Sequence, residues 1–345
     1  MRRLIAIVFL LVFLGSAKTD ALSFNLDSIA EWGRFPRFCV NTYRWGDKFF
    51  NTYDSLYVQG TGTKFNVKAT ADSFVDYYRF TLPDNSMVTM ISDPSTSVGA
   101  YLTYLAVSVG YDINVSHLFG SVAHARSRYQ FGFNCALLGV ELYLENNNIG
   151  TNIKQFGDLH HLSIPFEGIK SSGWGVDLYY FFNNKRYSQA AAFNFSKIQM
   201  RSQGSFYAGL SIFTQRYDFD FTQLQSALQE QLPTDWIDHH YRTNTHNYGF
   251  RLGYGYNWVF HRGWLMSVAV SPTVGVKQGY VNSQTEGWSF MFYNRLRGSL
   301  VWNHGPWFIG GILSANTAIV SDRKTTFLGS NLSASGSIGY RFNLW

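Results

Sequence analysis

The sequence predicts an all-β protein: a transmembrane antiparallel up-and-down β-barrel of about twelve strands, with ten as the alternative. Three observations predict it. Charged residues make up 14% of the chain and aromatic residues 18%, whereas an ordinary soluble domain carries about 25% charged residues. Mean hydropathy is nevertheless close to neutral, as it is when apolar and polar positions alternate and cancel. No stretch after the N-terminus holds 18 consecutive apolar residues, so helical spans are not expected.

The alternation is plainest in YGFRLGYGYNWVF, residues 248–260. Tyr248, Phe250, Leu252, Tyr254, Tyr256, Trp258 and Phe260 share one phase; Gly249, Arg251, Gly253, Gly255 and Asn257 share the other. Period two means a strand with two unlike faces. An arginine on the lipid face at the midplane costs roughly 2–4 kcal/mol, so the aromatic row is expected to face lipid and Arg251 the lumen. The soluble alternative is a lipocalin-like barrel or a sandwich with an aromatic interior. It predicts charged outer faces, yet the strand 264–276 sets Ser, Ala and Thr opposite its apolar row.

From the N-terminus, residues 1–17 read as a secretory signal. Arg2 and Arg3 precede the apolar run Leu4–Gly15 and the small residues Gly15-Ser16-Ala17, with a second cleavage option up to Ala21. Residues 18–63 read as a periplasmic lead-in and 64–345 as the barrel. The alternating segments are 64–80, a weaker 86–92, 98–115, 129–145, 174–182, 187–198, 205–217, 246–260, 264–277, 288–302, 306–320 and 331–344. The phase of 129–145 switches near Gly139, which a bulge explains. Short connections (HRG, 261–263; NHG, 303–305) alternate with long ones (218–244, 278–287, 321–330), the barrel pattern of tight turns on one side and loops on the other. FTQLQSALQEQL within 218–244 has helical character. The regions 86–92 and 146–170 decide between twelve strands and ten. Tyr248, Trp258, Trp264, Trp302 and Trp307, near strand ends, suit interfacial girdles.

The last strand, SASGSIGYRFNLW, carries Tyr340, Phe342 and Leu344 in one phase and ends on Trp345. It resembles the C-terminal signal read by the outer-membrane barrel assembly machinery, with Trp345 one residue out of phase. That machinery and the lipids of the outer membrane are the expected partners. The net charge of +6 is modest and shows no Lys/Arg run, so nucleic acid is not expected. Cys39 and Cys135 are the two cysteines. Cys135 shares the apolar phase of Tyr129, Phe131, Phe133 and Leu137, and is expected to face lipid as a small hydrophobe.

Three pieces of sequence resemble an uncharacterised, domain-of-unknown-function family of Bacteroidota understood as outer-membrane β-barrels. They are Asp177-Leu178-Tyr179-Tyr180, the run Tyr187-Ser188-Gln189-Ala190-Ala191-Ala192-Phe193, and Gln199-Met200-Arg201-Ser202-Gln203-Gly204-Ser205. The resemblance spans about residues 50–345. It implies location and fold, and no activity or catalytic residue.

Candidate functional residues fall in three groups. By phase, Asp112, Asp177, Arg251, Arg295, Arg297 and Arg341 face the lumen. Such rings select solutes in a pore, or pair with one another to hold a filled barrel together. In HHLSIP, His161 and Ser163 are separated by one residue, so both fall on one strand face, which resembles the arrangement in outer-membrane lipid hydrolases where His activates Ser. Asp158, Glu167 or Asn152 is available to orient the His. In loop 218–244, Asp218, Asp220, Asp235, Asp238, His239 and His240 are oxygen and nitrogen donors that can hold a cation, or a solvated loop. No phosphate-cradling glycine loop, zinc spacing or dinucleotide fingerprint is present, so no cofactor and no metal are expected. Transport of small solutes, lipid hydrolysis and a structural or partner-binding role are the three functions consistent with the sequence.

Overall fold

The computed structural model describes residues 52–343 apart from 105–106, 117–125, 234–235, 283 and 322–324, and before them Arg37 and Asn41. The expected signal, the lead-in up to residue 51 apart from those two residues, Cys39 and Trp345 lie outside the described residues. The strands are β1 (Val58–Gly60), β2 (Phe65–Thr81), β3 (Met87–Ser92), β4 (Ser95–Tyr104), β5 (Val107–Asn114), β6 (Arg126–Asn134), β7 (Leu138–Asn147), β8 (Thr151–Phe156) and β9 (Leu159–Phe166), followed by β10 (Ile169–Phe181), β11 (Lys197–Gln199), β12 (Gln203–Asp220), β13 (His240–His261), β14 (Trp264–Val281), β15 (Gln284–His304), β16 (Trp307–Ser321) and β17 (Thr326–Phe342).

Twelve of them form a closed antiparallel wall in the order β2, β4, β5, β6, β7, β10, β12, β13, β14, β15, β16, β17. β17 returns to β2 in continuous register from Phe65↔Phe342 to Thr81↔Thr326. Closure leaves no edge with unpaired backbone groups, which lipid cannot satisfy. The barrel has twelve strands and is closed, as a membrane-spanning sheet must be.

The twelve strands are not the twelve expected segments. Residues 98–115 and 129–145 each divide into parts of two strands, β4/β5 and β6/β7. The phase switch before Gly139 is the turn between β6 and β7, not a bulge. Residues 187–198 are not a wall strand: they hold a π-helical turn, Ala190–Asn194, before the short β11. Residues 86–92 form β3, which continues β4 along β2 past Asp93-Pro94. The expected long connections 278–287 and 321–330 are mostly strand.

One long bent hairpin narrows the far end of the barrel. β7 runs on into β8 and β9 into β10, with breaks at 148–150 and 167–168. Beyond β5 and β6, β8 pairs directly with β3 (Val88↔Phe156 to Ser92↔Thr151). These two strands thereby drop out of the wall at that level.

Outside, the wall is apolar. On β13 the even positions from Tyr248 to Phe260 are exposed, while Asn247, Arg251 and Asn257 are buried. The eleven residues from Tyr248 to Trp258 match the roughly 9–11 that a tilted strand needs to cross a membrane. Past Tyr248 the outward positions turn polar, at His246, Asn244 and Arg242, so the rest of this 22-residue strand projects beyond the lipid. Tyr248 meets Trp288 at one border, with ring centroids 5.9 Å apart. Trp258, Trp264, Trp302 and Trp307 mark the other.

Both ends of the lumen are filled. At the far end Phe80, Phe219, Phe221, Trp236, Tyr241 and Phe327 form one buried cluster with Leu224, Leu228 and Leu232 of the connection 221–239. Phe80 and Phe219 lie 5.0 Å apart, although β2 and β12 have five wall strands between them on the β17 side. Their rings therefore meet across the lumen. At the end where β2 begins and β17 ends, the segment 182–202 turns inward as a plug. Ala191, Ala192, Phe193 and Phe195 pack on Leu265, Ala269, Val301 and Phe308 of the wall. β1, from the expected lead-in, pairs with β11 of this plug. Cys135 does not face lipid; it is buried in the β6–β7 turn, where its Sγ accepts from the Leu138 amide at 3.2 Å.

Candidate functional site

Between plug and aromatic cap lies a cavity of about 380 Å³. Its lining is largely polar, and includes Lys68, Asp72, Asp112, Glu141, Asp177 and Arg251. These side chains share the inward phase of their strands, opposite the lipid-facing rows, which is why a chain of low charge content keeps charges here.

A belt of five charged groups crosses the lumen. The Asp177 carboxylate on β10 accepts from Arg251 Nη2 of β13 at 3.0 Å and pairs with Arg295 Nη2 of β15 at 3.2 Å. Arg295 Nη1 also donates to Glu141 of β7 at 3.0 Å. Arg297 Nη1 stands 3.5 Å from the same carboxylate, which accepts a further bond from the Tyr179 hydroxyl at 2.7 Å. Thr273 and Ser211 complete the shell, at 3.1 Å from Arg251 Nε and 2.6 Å from Asp177 Oδ1. All five side chains are nearly buried. β15 and β7 have four wall strands between them, so these pairs brace the barrel from inside. Three guanidinium groups face two carboxylates, which leaves the belt positive. Phase alone indicated Asp177, Arg251, Arg295 and Arg297. It missed Glu141, because the β6–β7 turn resets the alternation, but the run Glu141-Leu142-Tyr143-Leu144-Glu145 carries the correct phase.

Asp112 lies on the other wall, where it accepts from the Tyr101 hydroxyl at 2.5 Å. Arg341 is not in the cavity. Its Nε and Nη2 donate to the Phe195 carbonyl at 3.1 and 2.7 Å, and Nη2 also to Asn303 Oδ1 at 2.6 Å. It therefore ties the plug to the wall. Phe195 is a buried non-glycine residue at φ 60°, a conformation held only where the surroundings enforce it. A second tie is Gln199. Its amide donates to the carbonyls of Tyr57, Arg186 and Arg201, and accepts from the Ser188 amide and Asn257 Nδ2. The plug ring of Tyr187 fits because Gly255 faces it; a Cβ there would stand 2.3 Å from the Tyr187 hydroxyl.

The other two candidate groups are not assembled as their patterns imply. At the β8–β9 hairpin the register slips between Ile153 and Gln155, leaving 161–163 opposite Lys154. His161 sits at φ 57°, so the alternation that sets it beside Ser163 is broken. Ser163 Oγ accepts instead from Lys154 Nζ at 3.4 Å. These contacts give a nucleophile–base pair no support. The expected loop 218–244 is strand at both ends: where β12 ends and β13 begins, His240 Nδ1 lies 2.9 Å from Asp218 and Nε2 lies 3.4 Å from Asp220, while Arg242 also pairs with Asp218. Asp238 and His239 are exposed, Asp235 lies outside the described residues, and no metal-holding cluster occurs among the described residues. Burial raises the Asp220 carboxyl, but hydrogen bonds from the Thr222 hydroxyl and amide, with His240 and Arg242 nearby, outweigh it and hold the group below its usual range.

Residues 52–342 match the family described as Domain of unknown function (DUF4421). The chain belongs to this family. Comparison with curated proteins finds no match. Among solved structures this DUF4421 chain is similar to the toluene transporter TodX of P. putida, with TM-score 0.31 and 8% identity over 86% of this chain and 96% of that one. It is similar to the COG4313 outer membrane channel from Pseudomonas putida F1, with TM-score 0.33 and 9% identity over 82% and 97%. It is also similar to the β domain of the Bordetella autotransporter BrkA, with TM-score 0.33 and 9% identity over 80% and 99%. The barrel assignment rests on this chain's own closed strand ladder.

Proposed function

We propose that this DUF4421 protein is an outer-membrane channel for small polar solutes, held shut in the conformation described. The polar cavity at the level of the lipid-facing aromatic band carries this reading. A barrel acting only as an anchor could be braced as well by apolar packing, because burying charges costs free energy that their pairing only repays. Export through the signal-like N-terminus and insertion by the assembly machinery through the aromatic C-terminal strand fit the same reading. Lipids of the outer membrane then contact the aromatic wall. The plug is the more movable of the two closures, because β1 pairs only with β11 and the wall ladder closes without either; a full opening also requires the connection 221–239 to leave the aromatic cap.

Single-channel recording of the refolded full chain in planar bilayers tests this. Wild type is expected to stay mostly closed with brief openings. Arg341→Met, which frees the Phe195 carbonyl, raises the open fraction; Arg251→Ala changes the conductance and ion preference of the openings. Silence from folded wild type and from both variants overturns the channel reading.

A further inference from the structure

The chamber wall away from the arginine belt carries a second arrangement, which the channel reading does not use. Lys68, Thr70 and Asp72 occupy alternate inward positions of β2 and line the cavity, about 7 Å apart per step. Lys68 stands opposite Tyr101, and Tyr101 opposite Gly110. Thr70 stands opposite Gly99, and Gly99 opposite Asp112.

The two glycines make an alcove. A Cβ on Gly110 would lie 1.9 Å from the Tyr101 ring, and one on Gly99 would lie 1.8 Å from Asp112 Oδ1. With hydrogen alone at both places, Tyr101 leans back over β5 and Asp112 over β4. Their hydrogen bond at 2.5 Å fixes both, and the space before them stays part of the cavity.

The charges of this alcove are close but not joined. Among the described residues, the Lys68 ammonium has neither a hydrogen bond nor an ion pair within 4.0 Å. It rests over the rings of Tyr101 at 4.6 Å and of Phe195 in the plug at 5.2 Å. Asp72 and Asp112 act on it through space, while the Thr70 hydroxyl donates to Asp112 at 3.4 Å. A lone anion drawn to Lys68 meets two carboxylates. A lone cation drawn to the carboxylates meets Lys68. A solute that carries both charges satisfies both walls.

We infer that this alcove binds a small zwitterion, with its carboxylate on the Lys68 ammonium and its ammonium between Asp72 and Asp112. The inference rests on the channel reading for the route by which solute arrives, and names the solute class. The cavity of about 380 Å³ falls within the usual span of small-molecule sites, about 300–1,000 Å³. Because Lys68 also lies on Phe195, a carboxylate that draws the ammonium away loosens one contact of the plug.

Binding to the detergent-folded full chain tests the inference, measured by titration calorimetry with three probes of equal chain length: β-alanine, butyrate and propylamine. β-Alanine is expected to bind at least tenfold more tightly than either singly charged probe. Lys68→Met, which keeps the methylene stem, removes that preference, and so does Asp112→Asn. Gly99→Ala weakens it by pushing Asp112 off the wall. Each measurement is repeated in the Arg341→Met background, which admits the probes if the wild-type plug excludes them. Equal binding of all three probes, no binding in either background, or a preference that survives Lys68→Met overturns the inference. A β-alanine preference without conductance removes the channel and keeps the site; conductance without the preference does the reverse.

Discussion

At the plug end the lumen is blocked by directional contacts, five hydrogen bonds at Gln199 and the Arg341 guanidinium on the Phe195 carbonyl, beside a smaller apolar cluster of Ala191, Ala192, Phe193 and Phe195 on the wall. At the far end it is blocked by rings, with Phe80 within 5.4 Å of Phe219, Tyr241, Phe327 and Trp236. The two closures differ in what water can replace. A typical hydrogen bond contributes only about 0.5–1.5 kcal/mol net, because water substitutes for either partner. Fully burying one large apolar side chain contributes about 1.5–3 kcal/mol, and water offers nothing in exchange. The aromatic end therefore behaves as part of the folded core, and the plug end as the place where a solute trades contacts.

The largest effect is expected where that contrast is sharpest. Phe80→Ala removes the hub of the cap and should cost about 3–5 kcal/mol. Thermal unfolding of the detergent-folded barrel should shift accordingly, and chymotrypsin should gain access to 221–239. The channel should stay shut, because the plug is untouched. An unchanged midpoint would mean that the cap is a loose lid, and the contrast between the ends would fail. Next comes the belt between them. Asp177→Ala leaves Arg251 and Arg295 without their shared carboxylate, and removing one partner of a buried pair typically costs about 3–5 kcal/mol. Arg251→Met on that background should recover part of the loss. Non-additivity of this kind, read from thermal midpoints, marks a coupled pair.

The outline of the barrel was legible because lipid and lumen impose opposite chemistry on alternate residues. Arg251 against the Tyr248–Phe260 row needed no structure to be oriented. The strand inventory was less legible, and the total of twelve arose through offsetting differences. Between β4 and β5 the chain offers Leu105-Ala106, and between β6 and β7 Cys135-Ala136-Leu137. These connecting residues include no Gly, Asn or Pro, the usual marks of a turn, so each hairpin read as a single strand. The run Ala190–Phe195 alternates well enough to pass for a strand, yet its small residues serve to fit a compact turn inside the barrel. The inward phases of Asp177, Arg295 and Arg297 were readable. Their contacts with each other and with Glu141 were not, because period two is blind to which strands face each other across a lumen. For the same reason the alcove at Lys68 was invisible: it depends on Gly99 and Gly110 standing beside Asp112 and Tyr101 on neighbouring strands.

A smaller effect is expected at the plug. Arg341→Met keeps apolar contact with Phe308 but leaves the buried Phe195 carbonyl without its two charged donors, at a cost of about 1–3 kcal/mol. The wall ladder does not depend on that bond, so the change should appear less in the thermal midpoint than in the open fraction of single-channel records. A large drop in midpoint with no change in gating would show that the plug is a structural part of the barrel, which would erase the difference between the ends.

The smallest effect concerns acid, at the edge of the cap. The Asp220 carboxyl accepts from the amide and hydroxyl of Thr222 and so starts the helical turn Phe221–Gln223 that carries the chain into the aromatic cluster. Its folded-state value is held below the ordinary carboxylate value, which is about 3.9 in an unfolded chain. A depressed carboxyl contributes stability that is complete above the unfolded value and is lost as pH falls through the folded one. Neutral pH therefore retains all of it. Below about pH 4 the turn should loosen, exposing 221–239 to a protease active in acid, such as pepsin. Asp220→Asn should make cleavage there less dependent on pH while the plug closure is unchanged. If 221–239 stays protected in wild type below about pH 4, the Asp220 turn does not hold the edge of the cap, and the aromatic cluster seals that end without it.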